Sequence, residues 1–164
     1  MVSDAHIPVL GALLAAAAAF DVGQRRVPNA LVLPLAAGGV FAQWSAGGAA
    51  EAALGVVAGA CVLALLIVPW SLGALGGGDA KLAAATAIWL GPSRLLSFIV
   101  FVAVAGAPVA LLARLSHRLS LRRLLVQARA DGADLDEVRP PEETVPMAVA
   151  VLLGTYASLL WRLP

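Results

Sequence analysis

Apolar residues in this chain come in long runs rather than in alternation. Six runs can be marked, at residues 5–20, 30–46, 52–75, 81–90, 95–113 and 145–163. Runs of this length, without a polar stripe, predict helices with apolar surroundings on most sides. The punctuation between them is of the kind that ends helices: Arg25-Arg26-Val27-Pro28-Asn29, Gly47-Gly48, Gly76-Gly77-Gly78-Asp79, Gly91-Pro92-Ser93-Arg94, and a long polar stretch over 114–144. There is no tandem repeat. The pattern predicts an all-α polytopic membrane protein with about six transmembrane helices, forming a single domain over residues 1–164.

Composition turns the pattern into a statement about solvent. Charged residues make up 13% of the 164 positions, hydrophobic residues 61%, and the mean hydropathy is +0.92. A soluble domain carries about 25% charged residues. This chain has too little polar surface to coat a globule in water, so its outer face is expected to meet lipid.

The placement of charge gives an orientation. Of the 11 basic residues, all but Arg94 and Arg162 fall on alternate connections: Arg25, Arg26, Lys81, Arg114, Arg118, Arg122, Arg123, Arg129 and Arg139. The positive-inside rule puts that set in the cytoplasm. Both termini then lie outside, as an even number of spans requires. No broad basic field interleaved with aromatics exists, so nucleic acid is not an expected partner. Met1-Val2-Ser3-Asp4 places an acid where a secretory signal needs positive charge, so the first run is expected to be a retained helix.

Smaller features carry less. Cys61 is the single cysteine, which excludes an internal disulfide and a Cys-rich zinc site; it is expected to be a small buried hydrophobe. Gly55-x-x-x-Gly59 permits close helix approach, but a Gly-rich chain also produces such spacing by chance. Within the polar stretch, residues 114–129 mix leucines with arginines. They read either as a basic interfacial helix on the anionic inner leaflet or as a plain connector with topogenic arginines. Residues 130–144 are acidic, contain Pro140-Pro141, and are expected to be a solvated loop.

Two carboxylates stand out, Asp21 and Asp79. The first run covers 16 residues, or roughly 24 Å at about 1.5 Å per residue, against a hydrocarbon core of about 30 Å. The fourth is shorter still. If their outer ends reach the far interface, their cytoplasmic ends stop below the near one, and those ends carry the two acids. An Asp at a helix centre costs roughly 2.5–3.5 kcal/mol, less toward the interface. Each acid alone could be an ordinary end-of-helix charge; two short helices ending in Asp on one face suggest a site.

The surroundings sharpen that expectation. The glycines before Asp79 permit close backbone approach, and exposed amides at a following helix N-terminus favour negative charge. After Asp21, Pro28 ends the helix and Asn29 can cap the next. Arg25 lies at i+4 from Asp21 and can pair with it if the helix continues. The plainer reading of Arg25, Arg26 and Lys81, and the one favoured for them, is membrane anchoring.

These elements resemble the type IV prepilin peptidases, intramembrane aspartic proteases of the G-x-G-D class. The resemblance is strongest at Gly76-Gly77-Gly78-Asp79-Ala80-Lys81-Leu82, followed by Leu90-Gly91, and at the spacing from Asp21 to Pro28-Asn29. A third element, Val145-Pro146-Met147-Ala148-Val149-Ala150, looks like the family's Pro-Tyr-x-x-Ala motif opening the last helix, with Met147 in place of the tyrosine. The resemblance covers nearly the whole chain. It implies that Asp21 and Asp79 are the catalytic aspartates, with Gly76, Gly78, Lys81, Arg25, Pro28, Asn29 and Pro146 as supporting motif residues. It also implies no cofactor and no metal. Longer family members carry a cytoplasmic domain with paired C-x-x-C motifs that methylates the new N-terminus. Without those motifs, this chain resembles the short peptidase-only forms that serve tight-adherence (Flp) pili.

The expected activity is then removal of the leader from a prepilin or pseudopilin precursor at the cytoplasmic face of the inner membrane. Two adjacent carboxylates share a proton, one acting as base on water and the other as acid on the scissile carbonyl. Which acid plays which part stays open at this level, as does the oligomeric state. A different class of function, a small ion- or proton-coupled transporter component using the same aspartates, would leave the G-x-G-D element unused. A third, an inactive assembly partner of a secretion machine, would leave both acids unused; precursor cleavage by purified protein separates the three.

Overall fold

The computed structural model describes residues 6–24, 28–72, 75–130 and 147–160, and among these the regular structure is entirely helical. Five helices follow one another: α1 (Ile7–Gln24), α2 (Asn29–Ser71), α3 (Gly77–Leu90), α4 (Leu95–Ala130) and α5 (Met147–Leu160), with a short 3-10 turn, Pro92–Arg94, before α4. Arg25, Pro146 and residues 131–144 lie outside the described residues.

α2 is two helices in one. Gly47 (φ −157°, ψ 19°) and Gly48 (φ 73°, ψ −158°) leave helical geometry. The second pair of angles is one that only glycine adopts at low cost. On a straight helix Gln43 and Gly55 would stand about 18 Å apart. Here a Cβ added at Gly55 would sit 3.0 Å from Gln43 Cγ. The chain therefore doubles back at the Gly47-Gly48 break expected from the sequence. The first limb, 29–46, and the second, 49–71, both pack on α3.

The limbs reach α3 through glycines. Gly38 and Gly39 face Trp89, while Gly55 and Gly59 face Ile88 and the Ala84 carbonyl. The Gly55-x-x-x-Gly59 spacing is thus a packing surface and not a chance of composition. The core beneath is made of Leu10, Leu14, Leu35, Leu82, Trp89, Phe98 and Val151, with alanines between them.

Outward, the molecule is apolar. Leu33, Phe41, Val57, Leu65, Trp70, Leu96, Val104 and Leu111 are all exposed. Among the described residues, two helical stretches are long and apolar enough to cross a membrane, Asn29–Ser71 and Pro92–Val109, and their most apolar parts are only 28% and 11% buried. The core helix of a water-soluble protein would be mostly buried, so these faces suit lipid. Ile7–Asp21 and Ala148–Leu160 are shorter apolar helices. Cys61, expected to be buried, is instead exposed on the outer face of α2, where a small thiol is at home in an apolar medium.

Helix bounds differ from the sequence reading where it matters for the acids. α1 runs on to Gln24, so Asp21 lies in its last turns and not beyond its end. α3 starts at Gly77, four residues earlier than the apolar run, because Gly77 and Gly78 are helical and not part of the break. Residues 114–130 are helical and continue without interruption from the apolar part of α4.

Hydrogen bonds sort the bundle into two ends. At one end Gln43 Nε2 donates to the carbonyls of Ile88 and Trp89, 3.1 Å each, closing the C-terminus of α3 beside Gly91 (φ 66°). At that same end Arg94 donates to the carbonyls of Ser158 (3.0 Å) and Leu159 (3.2 Å), where α5 finishes. Unpaired C-terminal carbonyls are thereby satisfied without water. The other end carries both aspartates.

Candidate active site

Asp79 occupies the third position of α3. Its own N–H bonds to the Gly76 carbonyl at 3.1 Å, as does that of Ala80 at 3.2 Å, which closes the first turn. The carboxylate folds back over this turn: a Cβ at Gly76 would stand 2.8 Å from Asp79 Oδ2. A glycine at 76 therefore leaves room for the acid itself. Asp79 is 7% exposed, and its Oδ1 is buried with no hydrogen-bond partner among the described residues. A buried polar atom without a partner is costly and calls for a reason.

Asp21 comes from α1. It is 5% exposed, and its Oδ2 accepts the backbone N–H of Ala148 at 3.1 Å. Ala148 lies in the first turn of α5, where amides have no carbonyl partner within the helix. Asp21 supplies the missing acceptor, and its charge suits the positive end of the α5 dipole. Asp21 and Asp79 are thus both buried at the end of the bundle opposite Gln43 and Arg94.

The supporting residues divide. Gly76 lines the Asp79 turn. Gly78 is helical and half-buried within it. Pro28 precedes α2 with extended backbone (φ −69°, ψ 140°), as expected for the residue that starts the next helix. Asn29 does not cap α2; it is the first helical residue, and its Oδ1 accepts a hydrogen bond from Lys81 Nζ at 3.4 Å. Lys81 is thus tied to the segment that follows Asp21, across 52 positions of chain. Arg25 and Pro146 lie outside the described residues.

One participant was not named from sequence, the main-chain amide of Ala148. The signal for it was indirect. The third element opens a helix, and a helix start buried in apolar surroundings needs an acceptor from somewhere.

Comparison with known proteins shows the family. A model of the type IV leader peptidase family matches residues 9–111, which hold both acids and both motif segments. The chain belongs to that family. Among curated relatives, the prepilin leader peptidase/N-methyltransferase of Dickeya chrysanthemi is 33% identical over 132 residues, 73% of this chain and 46% of that protein. The proteins of the same description from Burkholderia pseudomallei strains 1026b and K96243 are each 35% identical over 116 residues, 67% of this chain and 38% of theirs. The chain thus spans less than half the length of these curated relatives. No solved structure matches it. The third motif element falls outside the matched span, so its part in the site rests on the Ala148–Asp21 contact.

Proposed function

We propose that this member of the type IV leader peptidase family is a membrane-embedded aspartic endopeptidase with Asp21 and Asp79 as its catalytic pair. The observation that carries the proposal is the burial of both carboxylates at one end of the bundle. An acid pair away from bulk water can hold one shared proton, and that proton lets one side chain activate water while the other protonates a carbonyl oxygen. The substrate is a prepilin-like precursor, cut between its leader and the hydrophobic segment that follows. The chain acts as a single domain of six spans, counting the limbs of α2 separately. The basic part of α4 lies at the cytoplasmic lipid surface. The ion-transport alternative has no comparable support, since Asp79 sits on the very turn that the G-x-G-D element builds. Incubation of purified protein with a prepilin-like precursor in detergent or liposomes tests the proposal directly; absence of leader release under any condition of pH and lipid sinks it.

Two further outcomes are expected. Activity of a proton-sharing pair follows a bell-shaped dependence on pH, since both the fully protonated and the doubly ionised pair are inactive. Chelators leave the rate unchanged. A rate that climbs steadily through high pH, or that vanishes with chelator, would require a different chemistry.

The second concerns orientation. The proposal places the acid-bearing end in the cytoplasm and both termini outside. In a Cys61→Ala background, cysteines at Gly47 or Ser93 then react with an impermeant thiol reagent added to intact cells. Cysteines at Ser120 or Ala133 do not. The opposite labelling pattern would put the acids on the wrong face for a precursor still in the cytoplasm.

A further inference from the structure

We infer that the first turn of α5, through the Ala148 amide, divides the labour of the acid pair: Asp21 is the base and Asp79 the acid. The inference rests on the proposed peptidase reading and adds to it a positioning group that is part of the main chain.

The geometry is asymmetric. Asp21 Oδ2 is held by an N–H that can only donate, so that oxygen is fixed as an acceptor and its bearer is suited to remain a carboxylate. Asp79 folds back over its own turn toward Gly76, and its Oδ1 is buried and unpartnered. A proton on Asp79 removes the uncompensated buried charge there and turns that unmet acceptor into a donor. The one proton of the pair therefore rests there, beside the negative charge of Asp21.

The contact to Ala148 belongs to a fixed register. Ten residues back along α1 from Asp21 is Gly11; eight residues on along α5 from Ala148 is Tyr156. These are displacements of about 15 Å and about 12 Å along antiparallel helices. Gly11 and Tyr156 do meet, because a Cβ at Gly11 would run into the Tyr156 hydroxyl. The two helices are thus in register at both ends, and Asp21 is presented to the α5 N-terminus by packing along their whole length. The other titratable groups on or next to the described parts of α1, α3 and α5 have neighbours of their own. His6 stacks edge-on with Phe41, Tyr156 lies beside Gly11, and Lys81 is bonded to Asn29.

The reaction then proceeds with atoms balanced. Asp21 Oδ1 takes a proton from water as the water oxygen bonds to the scissile carbonyl carbon. Asp79 gives its proton to the carbonyl oxygen, leaving a neutral tetrahedral diol. In the collapse, Asp79 takes back a hydroxyl proton while the C–N bond breaks. Asp21 delivers its proton to the departing amine.

The test replaces the Ala148 peptide N–H by an ester oxygen, using cell-free translation with a suppressor tRNA charged with lactate. This removes the donor and leaves side chain and shape intact. The same ester at Ala157, away from both acids, controls for the general cost of an ester in α5. Loss of one hydrogen bond to a charged group corresponds to roughly a ten- to hundredfold fall in rate. The expected result is a fall of that size in kcat at position 148, with KM little changed and the pH profile displaced; the ester at 157 retains most of kcat. An ester at 148 with wild-type kcat and a superimposable pH profile overturns the inference, as does an equal loss at both positions. Asp21→Asn in the same assay separates the two levels. If that variant is inactive while the 148 ester is unaffected, only the division of labour fails. If Asp21→Asn retains activity, the peptidase assignment of Asp21 fails with it.

Discussion

Asp21→Asn and Asp79→Asn each reduce precursor cleavage by roughly 10²–10⁴-fold, the range for removing a positioned acid or base. Asparagine matches aspartate in shape but neither takes up nor delivers a proton at neutral pH, so the effect isolates proton transfer. Both side chains are buried where an uncharged replacement is easier to accommodate than a carboxylate, and the variants insert and accumulate like the parent. Residues that act as one unit are non-additive. The double variant is therefore little worse than either single one. Asp131, Asp134 and Asp136, which the sequence places in the polar stretch after α4, serve as comparison and change the rate little when made Asn. The measurement is initial rate of leader release at matched protein levels. Near-normal turnover by either single variant removes that residue from the proposed pair.

Gly59→Leu unseats α3 and lowers both stability and activity. A Cβ at Gly59 would lie 2.6 Å from Ile88 Cγ1 and 2.9 Å from the Ala84 carbonyl oxygen. Ile88 can change rotamer, but a main-chain oxygen on a helix moves only with the helix. Overpacking of this sort costs typically 1–3 kcal/mol. Displacing α3 also moves Asp79, which rides on its first turn, relative to Asp21 on α1. The expected outcome is a lower unfolding midpoint in detergent together with reduced cleavage. Cys61→Leu, two positions along the same limb on its exposed side, alters neither. Equal behaviour of the two variants would mean that the second limb of α2 does not press on α3 as described.

Much of the architecture was readable along the chain because the causes are local. Gly47-Gly48 marked a break, and the backbone there leaves helical geometry in a way that favours glycine. Gly91 marked the end of α3 and holds a positive φ at its C-terminus. Helix starts were less legible. Gly77 and Gly78 read as loop, yet they are helical, since the turn they open is completed by Asp79 and Ala80 bonding back to Gly76. The side of Cys61 was misjudged because an apolar run without a polar stripe gives no sign of which face turns inward.

The sequence by itself determined the all-helical character and the breaks between apolar segments, and it singled out Asp21 and Asp79 as acids in an apolar chain, because hydropathy and helix-breaking residues act within a few positions of chain. Only the tertiary structure decided what those acids touch. Ala148 meets Asp21 across 127 positions, and Lys81 meets Asn29 across 52. Both contacts depend on helix register set by close packing at glycines, and on buried polar groups that must find partners where no water is at hand. No local pattern encodes such pairings, because each partner is specified by the packing of the whole bundle.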